Sequence, residues 1–447
     1  MTRSWRATSG WTLLVLGSAA LIATANAATS PEDLGYDALA HRTYADLLVH
    51  HGHVPGPAQS QEFHTPPGFY AVAGAAEALA QWMGAAHPWQ VARGLNVLWF
   101  LGALVLTLLI ARELFPRDRL LQLAALAFAA FVPVGLKLAA MFHPETLSLF
   151  ASTLALYLAV RMFVRRSFGW RTALLVGLAL GAAQLVRGFN LWLVPIVLLG
   201  FVAGALGGAL APRRAASSAA VVLAAAALVA GPWYVRQAVK YSNPLAFNRP
   251  APHVALWRRR PLSFYTGLGL PQSITNPTRP QFTNELIPTL YSDIWGDYFG
   301  YFAWTTTASG TTPVPLDRTG KRELEAQNVL GFLPALLAIG GVLGLLWESL
   351  RNGRRFARPG LLVLALLPVV GLLGFLVFTI SYPSGDGDVI KAAYVLTTVP
   401  GWAIGFGYAA NRLSRFRPAA ALVGAACALA LLSDLVFLLH RGPLGPF

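Results

Sequence analysis

Eleven apolar runs, each close to the length that crosses a bilayer, dominate this chain of 447 residues. They lie at residues 10–27, 94–112, 120–142, 146–163, 172–187, 191–211, 218–235, 329–347, 361–380, 392–410 and 418–439. A hydrocarbon core takes roughly 20 helical residues to cross, and lipid tolerates no unpaired backbone groups. The pattern therefore predicts an all-α polytopic membrane protein of about 11 transmembrane helices. Composition agrees, with 55% hydrophobic and 12% charged residues, against roughly 25% charged in soluble domains. A net charge of +15 could suit nucleic acid, but the basic residues cluster between the runs, as topogenic charges do. Membrane lipids are the expected partner, and nucleic acid is not. One cysteine excludes a disulfide within the chain and a cysteine metal site.

With a cytoplasmic N-terminus, the inner segments hold Arg3 and Arg6, Arg112 to Arg119, Arg161 to Arg171, Arg213 and Arg214, Arg351 to Arg358, and Arg412 to Arg417. That is more than half of the 34 Lys and Arg, in short loops, as the positive-inside rule requires. Of the 19 acidic residues, only Glu113, Asp118 and Glu348 fall inside. The two long connections, 28–93 and 236–328, fall outside, so any carboxylate chemistry is expected on that face. Ala25-Asn26-Ala27 after the first run also spells a signal-peptide cleavage site, and either way residue 28 emerges outside. The chain divides into a core at 1–235 that includes the loop 28–93, a long outer loop at 236–328, and C-terminal helices at 329–447.

Ser30-Pro31-Glu32-Asp33 reads as a helix start, with an N-cap serine, proline at the first position and acidic residues in the first turn. Ala40, Tyr44, Leu47 and Leu48 follow at helical spacing, with Asp37, His41 and Arg42 off that stripe, predicting a helix along the membrane surface. Asp37 and His41 lie one turn apart, and Asp37 reads either as a surface residue or as a functional carboxylate. Residues 50–70, HHGHVPGPAQSQEFHTPPGFY, bring His50, His51, His53, His64 and Glu62 together. Their spacing fits no helical zinc motif and the glycines and prolines are turn chemistry, so a divalent metal is possible but not favoured, and no cofactor is expected. A second surface helix is expected at 67–84.

This succession resembles the GT-C superfamily of membrane glycosyltransferases. The first span leads to Asp37-x-x-x-His41, the turn Gly52-x-x-Pro55, and Glu62-x-His64-x-Pro66-Pro67-x-x-Tyr70. The branch is that of protein O-mannosyltransferases and lipid A aminoarabinose transferases. The resemblance implies that Asp37 is the catalytic base. Relatives often carry Asp-Glu there, and this chain has Ala38 in place of the Glu, so Asp37 acts alone or with His41.

The resemblance continues at Phe142-His143-Pro144-Glu145, where Glu145 matches a second acidic residue of relatives and could equally be a helix-start residue. Arg187, after Gln184-Leu185-Val186, closes the fifth run on the outer face, against the positive-inside bias, and calls for an anion. Gly231-Pro232-Trp233-Tyr234-Val235-Arg236 and Ile294-Trp295-Gly296-Asp297-Tyr298-Phe299-Gly300 resemble further family segments, in which the aromatics serve as an interfacial belt or stack on a sugar. Asp386-Gly387-Asp388-Val389-Ile390-Lys391-Ala392-Ala393-Tyr394 precedes the tenth run, where relatives read Arg-Tyr. Ala393 takes the Arg position and Lys391 supplies a cation two residues earlier.

The resemblance implies an inverting transferase of the cell envelope that moves a sugar from a polyprenyl-phosphate donor to a lipid, glycan or protein acceptor. The expected setting is the plasma (inner) membrane, with the active site extracytoplasmic. Asp37, His41 and Glu145 are the expected catalytic residues. Arg187, Lys391 and Arg236 are expected to bind the donor phosphate, and His64, Tyr70, Trp295 and Tyr394 the substrate. A transporter or flippase of lipid-linked sugars would be expected to show internal repeats, and the two halves of the chain show none. A non-catalytic assembly subunit is the third reading.

Overall fold

The computed structural model describes residues 2–30, 35–246, 260–271, 275, 285–298, 318–351, 358–382 and 390–439. The helix start expected at Pro31, Glu32 and Asp33, the residues Phe299 and Gly300, and the pair Asp386 and Asp388 lie outside them. Among the described residues there is no strand.

Helices follow in this order among the described residues: α1 (Thr2–Thr29), α2 (Ala38–His50), α3 (Gly68–Trp82), α4 (Trp89–Leu114), α5 (Arg119–Phe131), α6 (Pro133–Ala139), α7 (Glu145–Val164), α8 (Trp170–Val186), α9 (Leu193–Leu206), α10 (Pro212–Tyr241), α11 (Leu262–Thr266), α12 (Leu286–Trp295), α13 (Arg318–Arg351), α14 (Pro359–Ser381), α15 (Val399–Leu413) and α16 (Arg417–Leu439). Two 3₁₀ turns, Gly188–Trp192 and Ala392–Thr398, precede α9 and α15.

Every apolar run of the sequence lies on helix, but the count of eleven crossings is not reached by length and composition. Among the described residues, seven helical segments are long and apolar enough to cross a membrane, and α5 with α6, bent by 54°, make an eighth if taken as one span. The reasons are local. Pro133 lacks the N–H that would continue α5, so Val132 turns extended and the run 120–142 breaks there. The run 392–410 opens as a 3₁₀ turn, and α15 starts afresh with Pro400 in its first turn. Run 172–187 forms the 17-residue α8.

Helix pairs approach closely where side chains are small. A Cβ added to Gly341 on α13 would lie 1.8 Å from the Gly405 carbonyl oxygen of α15, and one added to Gly177 on α8 would lie 2.5 Å from the Val222 carbonyl oxygen of α10. The largest core cluster joins Ala23 of α1, Phe100 of α4, Leu126 of α5, Leu156 of α7, Leu364 of α14 and Ile404 of α15. Leu206, Leu228 and Val239 remain exposed, as an outward apolar belt facing lipid requires. The protein is a multi-pass membrane protein.

The first loop carries the two expected surface helices, α2 and α3, packed on each other. α2 differs from its expected form in two ways. It begins at Ala38, one residue after Asp37. Its buried face is Ala38, His41, Tyr44 and Ala45 rather than Ala40, Tyr44, Leu47 and Leu48. Hydropathy put His41 outside, whereas the face of α2 turned toward the helical body carries His41 and Tyr44 beside two alanines.

Candidate active site

The ends of α2, α7, α8 and the turn Ala392–Thr398 converge on one layer of charged side chains. Asp37 occupies the N-cap position of α2 with φ 53° and ψ 27°, and its side chain makes no capping hydrogen bond. A left-handed backbone is costly for most residues with a Cβ and mildest for Asp and Asn; such outliers cluster at functional sites. The carboxylate is directed elsewhere: Lys391 Nζ donates to Oδ2 at 2.6 Å and Gln61 Nε2 donates to Oδ1 at 2.9 Å. Asp37's side chain is 24% exposed while that of Lys391 is 5% exposed, so the cation sits on the inner side of the pair. Lys391 also lies over the Tyr36 ring, 5.7 Å from the centroid.

Behind this pair lies a second, fully buried group. Glu145, the first residue of α7, accepts from Arg187 Nε at 2.7 Å. Arg187 is held in extended conformation at the end of α8, so its side chain turns back toward the start of α7. Its NH1 donates to Thr65 Oγ1 at 2.8 Å and lies 3.5 Å from Glu62 Oε2. Thr65 Oγ1 in turn donates to Glu62 Oε2 at 2.9 Å. The Arg187 guanidinium lies 5.4 Å from the Tyr394 ring centroid, and Tyr394 stacks on Phe189. Tyr394 is within electrostatic reach of Lys391, Arg187, Glu62 and Asp37, which ties the two groups together.

His41 turns its ring inward. Its Nδ1 shares a 2.8 Å hydrogen bond with the Tyr70 hydroxyl and is 3.8 Å from Glu62, and its ring meets His143 edge-on. Burial lowers the His41 imidazole to about 4, against the partial upward pull of Glu62. Burial also lowers His64, 3.9 Å from Glu62, to about 4. Both rings are neutral at pH 7. Burial pushes the Glu62 carboxyl up, but the His41 and His64 rings, once protonated in acid, and the Arg187 guanidinium outweigh it and hold the group below the usual carboxylate range. The ionised form answers above all to Arg187, the permanently charged neighbour. Burial also holds the Tyr70 hydroxyl well above its ordinary value, so it stays protonated beside His41.

The structure thus brings together Asp37, His41, Glu145, Arg187, Lys391, His64, Tyr70 and Tyr394. Of the two other expected residues, Arg236 borders the group through Tyr44, which lies within its electrostatic reach, and Trp295 lies apart. Arg236 donates to Gln237 Oε1 at 2.8 Å and stacks over Trp233 and Tyr241, behind the loop that carries Phe63. Trp295 is buried against Phe128 and Gly331, among apolar side chains of α5 and α13. Among the described residues, no three His, Cys, Asp or Glu side chains are placed to hold a metal ion together; Asp37 and Glu145 face Lys391 and Arg187 instead.

Two residues escaped the sequence reading. Asp293 of α12 is wholly buried, accepting from the Tyr36 hydroxyl at 2.5 Å and from the Ala392 amide at 2.7 Å. It therefore ties down the neighbours of both Asp37 and Lys391. Lys137 of α6, also wholly buried, donates to the Asp293 and Gly296 carbonyls and lies 3.6 Å from the Asp293 carboxylate and 3.8 Å from Asp297. The signal was available in Lys137 itself, a charge in the middle of an apolar run.

No protein-family model and no curated protein matches the sequence. Solved structures do. The archaeal oligosaccharyltransferase AglB from Archaeoglobus fulgidus, in complex with an inhibitory peptide and a dolichol-phosphate, matches at a TM-score of 0.55 and 15% identity, over 96% of this chain and 55% of that one. The same enzyme complexed with Zn and sulfate matches at 0.56 and 16%, over 96% and 53%. ArnT from Cupriavidus metallidurans, bound to undecaprenyl phosphate, matches at 0.51 and 17%, over 94% and 63%. The chain spans little more than half the length of AglB. Its helices have the transmembrane fold of the GT-C structures.

Proposed function

We propose that the chain is a GT-C glycosyltransferase that moves a sugar from a polyprenyl-phosphate donor to a hydroxyl acceptor at the outer face of the inner membrane. The observation that carries this reading is the Asp37–Lys391 pair, a half-open carboxylate with a buried ammonium 2.6 Å behind it. AglB and ArnT, which share the fold, hold dolichol-phosphate and undecaprenyl phosphate.

In this scheme the donor phosphate competes with Asp37 for Lys391. The ammonium then follows the phosphate, which frees Oδ2 while Gln61 keeps Oδ1 oriented. Asp37 takes the proton of the acceptor hydroxyl as its oxygen attacks the anomeric carbon. The bond from that carbon to the phosphate oxygen breaks, its electron pair leaving with the polyprenyl phosphate, whose charge Lys391 stabilises. Direct displacement inverts the anomeric centre. Arg187, engaged by Glu145, Thr65 and Glu62, serves chiefly to hold that buried group in place and adds positive field beneath Tyr394. His41, neutral and hydrogen-bonded to Tyr70, positions the start of α2. The scheme calls for no metal.

The purified chain, given radiolabelled polyprenyl-phosphate sugars and a membrane extract as acceptor source, is expected to transfer label with at least one donor. Labelled lipid crossing proteoliposomes without transfer would instead indicate a transporter.

A further inference from the structure

At the opposite ends of the helices from Asp37, a cavity of about 420 Å³ opens between the α4–α5 connection, the start of α14 and the end of α15. Four arginines line it, Arg117, Arg358, Arg412 and Arg415, against two carboxylates, Asp118 and Glu348. Glu348 is already committed: it accepts from Arg358 NH1 at 2.7 Å and from the Tyr408 hydroxyl at 2.9 Å, with Arg412 NH2 at 3.5 Å. Arg358 is steadied further by the Leu114 carbonyl at 3.3 Å and the Phe115 ring, and Arg412 by the Tyr408 ring. Two guanidiniums are therefore held in fixed orientation at the cavity wall. Arg117 and Arg415 are exposed and make no ion pair with a described residue. Positive-inside bias explains arginines in these connections, but not their convergence from three separate elements on one hollow with an apolar floor of Leu114, Phe115 and Leu121.

We propose that this cavity binds a phosphate-bearing anion, the headgroup of an anionic phospholipid in the leaflet on that side. Guanidinium forks match phosphate oxygens in pairs, and the apolar floor accepts the glycerol and the first acyl carbons. The inference stands apart from the glycosyl-transfer reading, since no residue of the Asp37 group takes part.

The test uses the full chain in detergent, with binding read by native mass spectrometry and thermal shift against phosphatidylglycerol, phosphatidylcholine and inorganic phosphate. Phosphatidylglycerol is expected to bind about tenfold tighter than phosphatidylcholine, and the R117A/R415A double variant to lose that preference without change in its unliganded melting temperature. Asn411→Trp, which fills the cavity and leaves every charge in place, is expected to lose it too. Inorganic phosphate that displaces the lipid identifies a free anion as an alternative source of the same ligand chemistry; phosphate that does not displace it identifies the headgroup. Equal binding of the two lipids, or an undiminished preference in either variant, overturns the proposal.

Discussion

Lys391 Nζ lies 2.6 Å from Asp37 Oδ2 across a sequence separation of 354 residues. The last third of the chain thus closes onto the first loop through one ion pair. Its two members were expected to serve opposite ends of one reaction, base and leaving-group cation, and in the structure each occupies the other.

Removal of the cation should leave the carboxylate in place and slow the departure of the phosphate. Lys391→Ala is expected to lower the transfer rate by about 10²–10³-fold, the usual cost of one preorganised electrostatic contact. Lys391→Arg should recover part of it. Single-turnover transfer with saturating donor makes the measurement.

Arg187 is the counter-ion of the buried group, so its loss is a matter of stability before activity. Arg187→Ala leaves Glu145 and Glu62 buried without their common partner, which is expected to cost about 3–5 kcal/mol. Arg187→Met combined with Glu145→Gln removes both charges of the 2.7 Å pair and should unfold at a temperature nearer the parent protein's. Thermal unfolding in detergent distinguishes the two.

Acid should loosen the first loop. His41 and His64 fall from an ordinary 6.5 to about 4 in the folded state because burial disfavours their charged forms. Between those values the unfolded chain binds more protons than the folded one, so their contribution to stability is full above pH 6.5 and declines as pH falls toward 4. Glu62, also held low, extends the loss below its ordinary carboxylate range. Melting temperatures measured from pH 7.5 to 5 are expected to fall, and His41→Gln with His64→Gln should flatten the slope.

The α13–α15 crossing tests the packing. Gly341→Val places side-chain atoms where the Gly405 backbone already lies, and overpacking of this kind is expected to cost about 1–3 kcal/mol or more. Gly10, with nothing near its Cβ, serves as the neutral control in the same thermal assay.

Helix positions were legible because membrane helices announce themselves through length and hydropathy. The breaks at Val132–Pro133 and at the start of α15 were not, since they depend on local backbone chemistry inside runs that look continuous. Arg187 was legible as a cation in want of an anion, and Glu145 proved to be that anion. Lys391 was placed by its closeness to a family position. His41 was misjudged because an amphipathic pattern treats histidine as an outward residue, whereas a polar interior can satisfy it through Tyr70. Trp295 was singled out by local resemblance, and local patterns carry no information about which way a helix end faces. Asp293 has no motif at all. Its role depends on Tyr36 and Ala392, which lie far from it in sequence.

The central claim rests on the acid–base role of one oxygen pair. Asp37→Asn preserves size and the capacity to accept from Gln61 while removing the base, so the variant should fold and, with no carboxylate competing for Lys391, bind polyprenyl phosphate at least as tightly as the parent does. Its single-turnover transfer is expected to fall by about 10²–10⁴-fold, the range ascribed to a positioned general base. Transfer at the parental rate, with donor binding intact, would contradict the account.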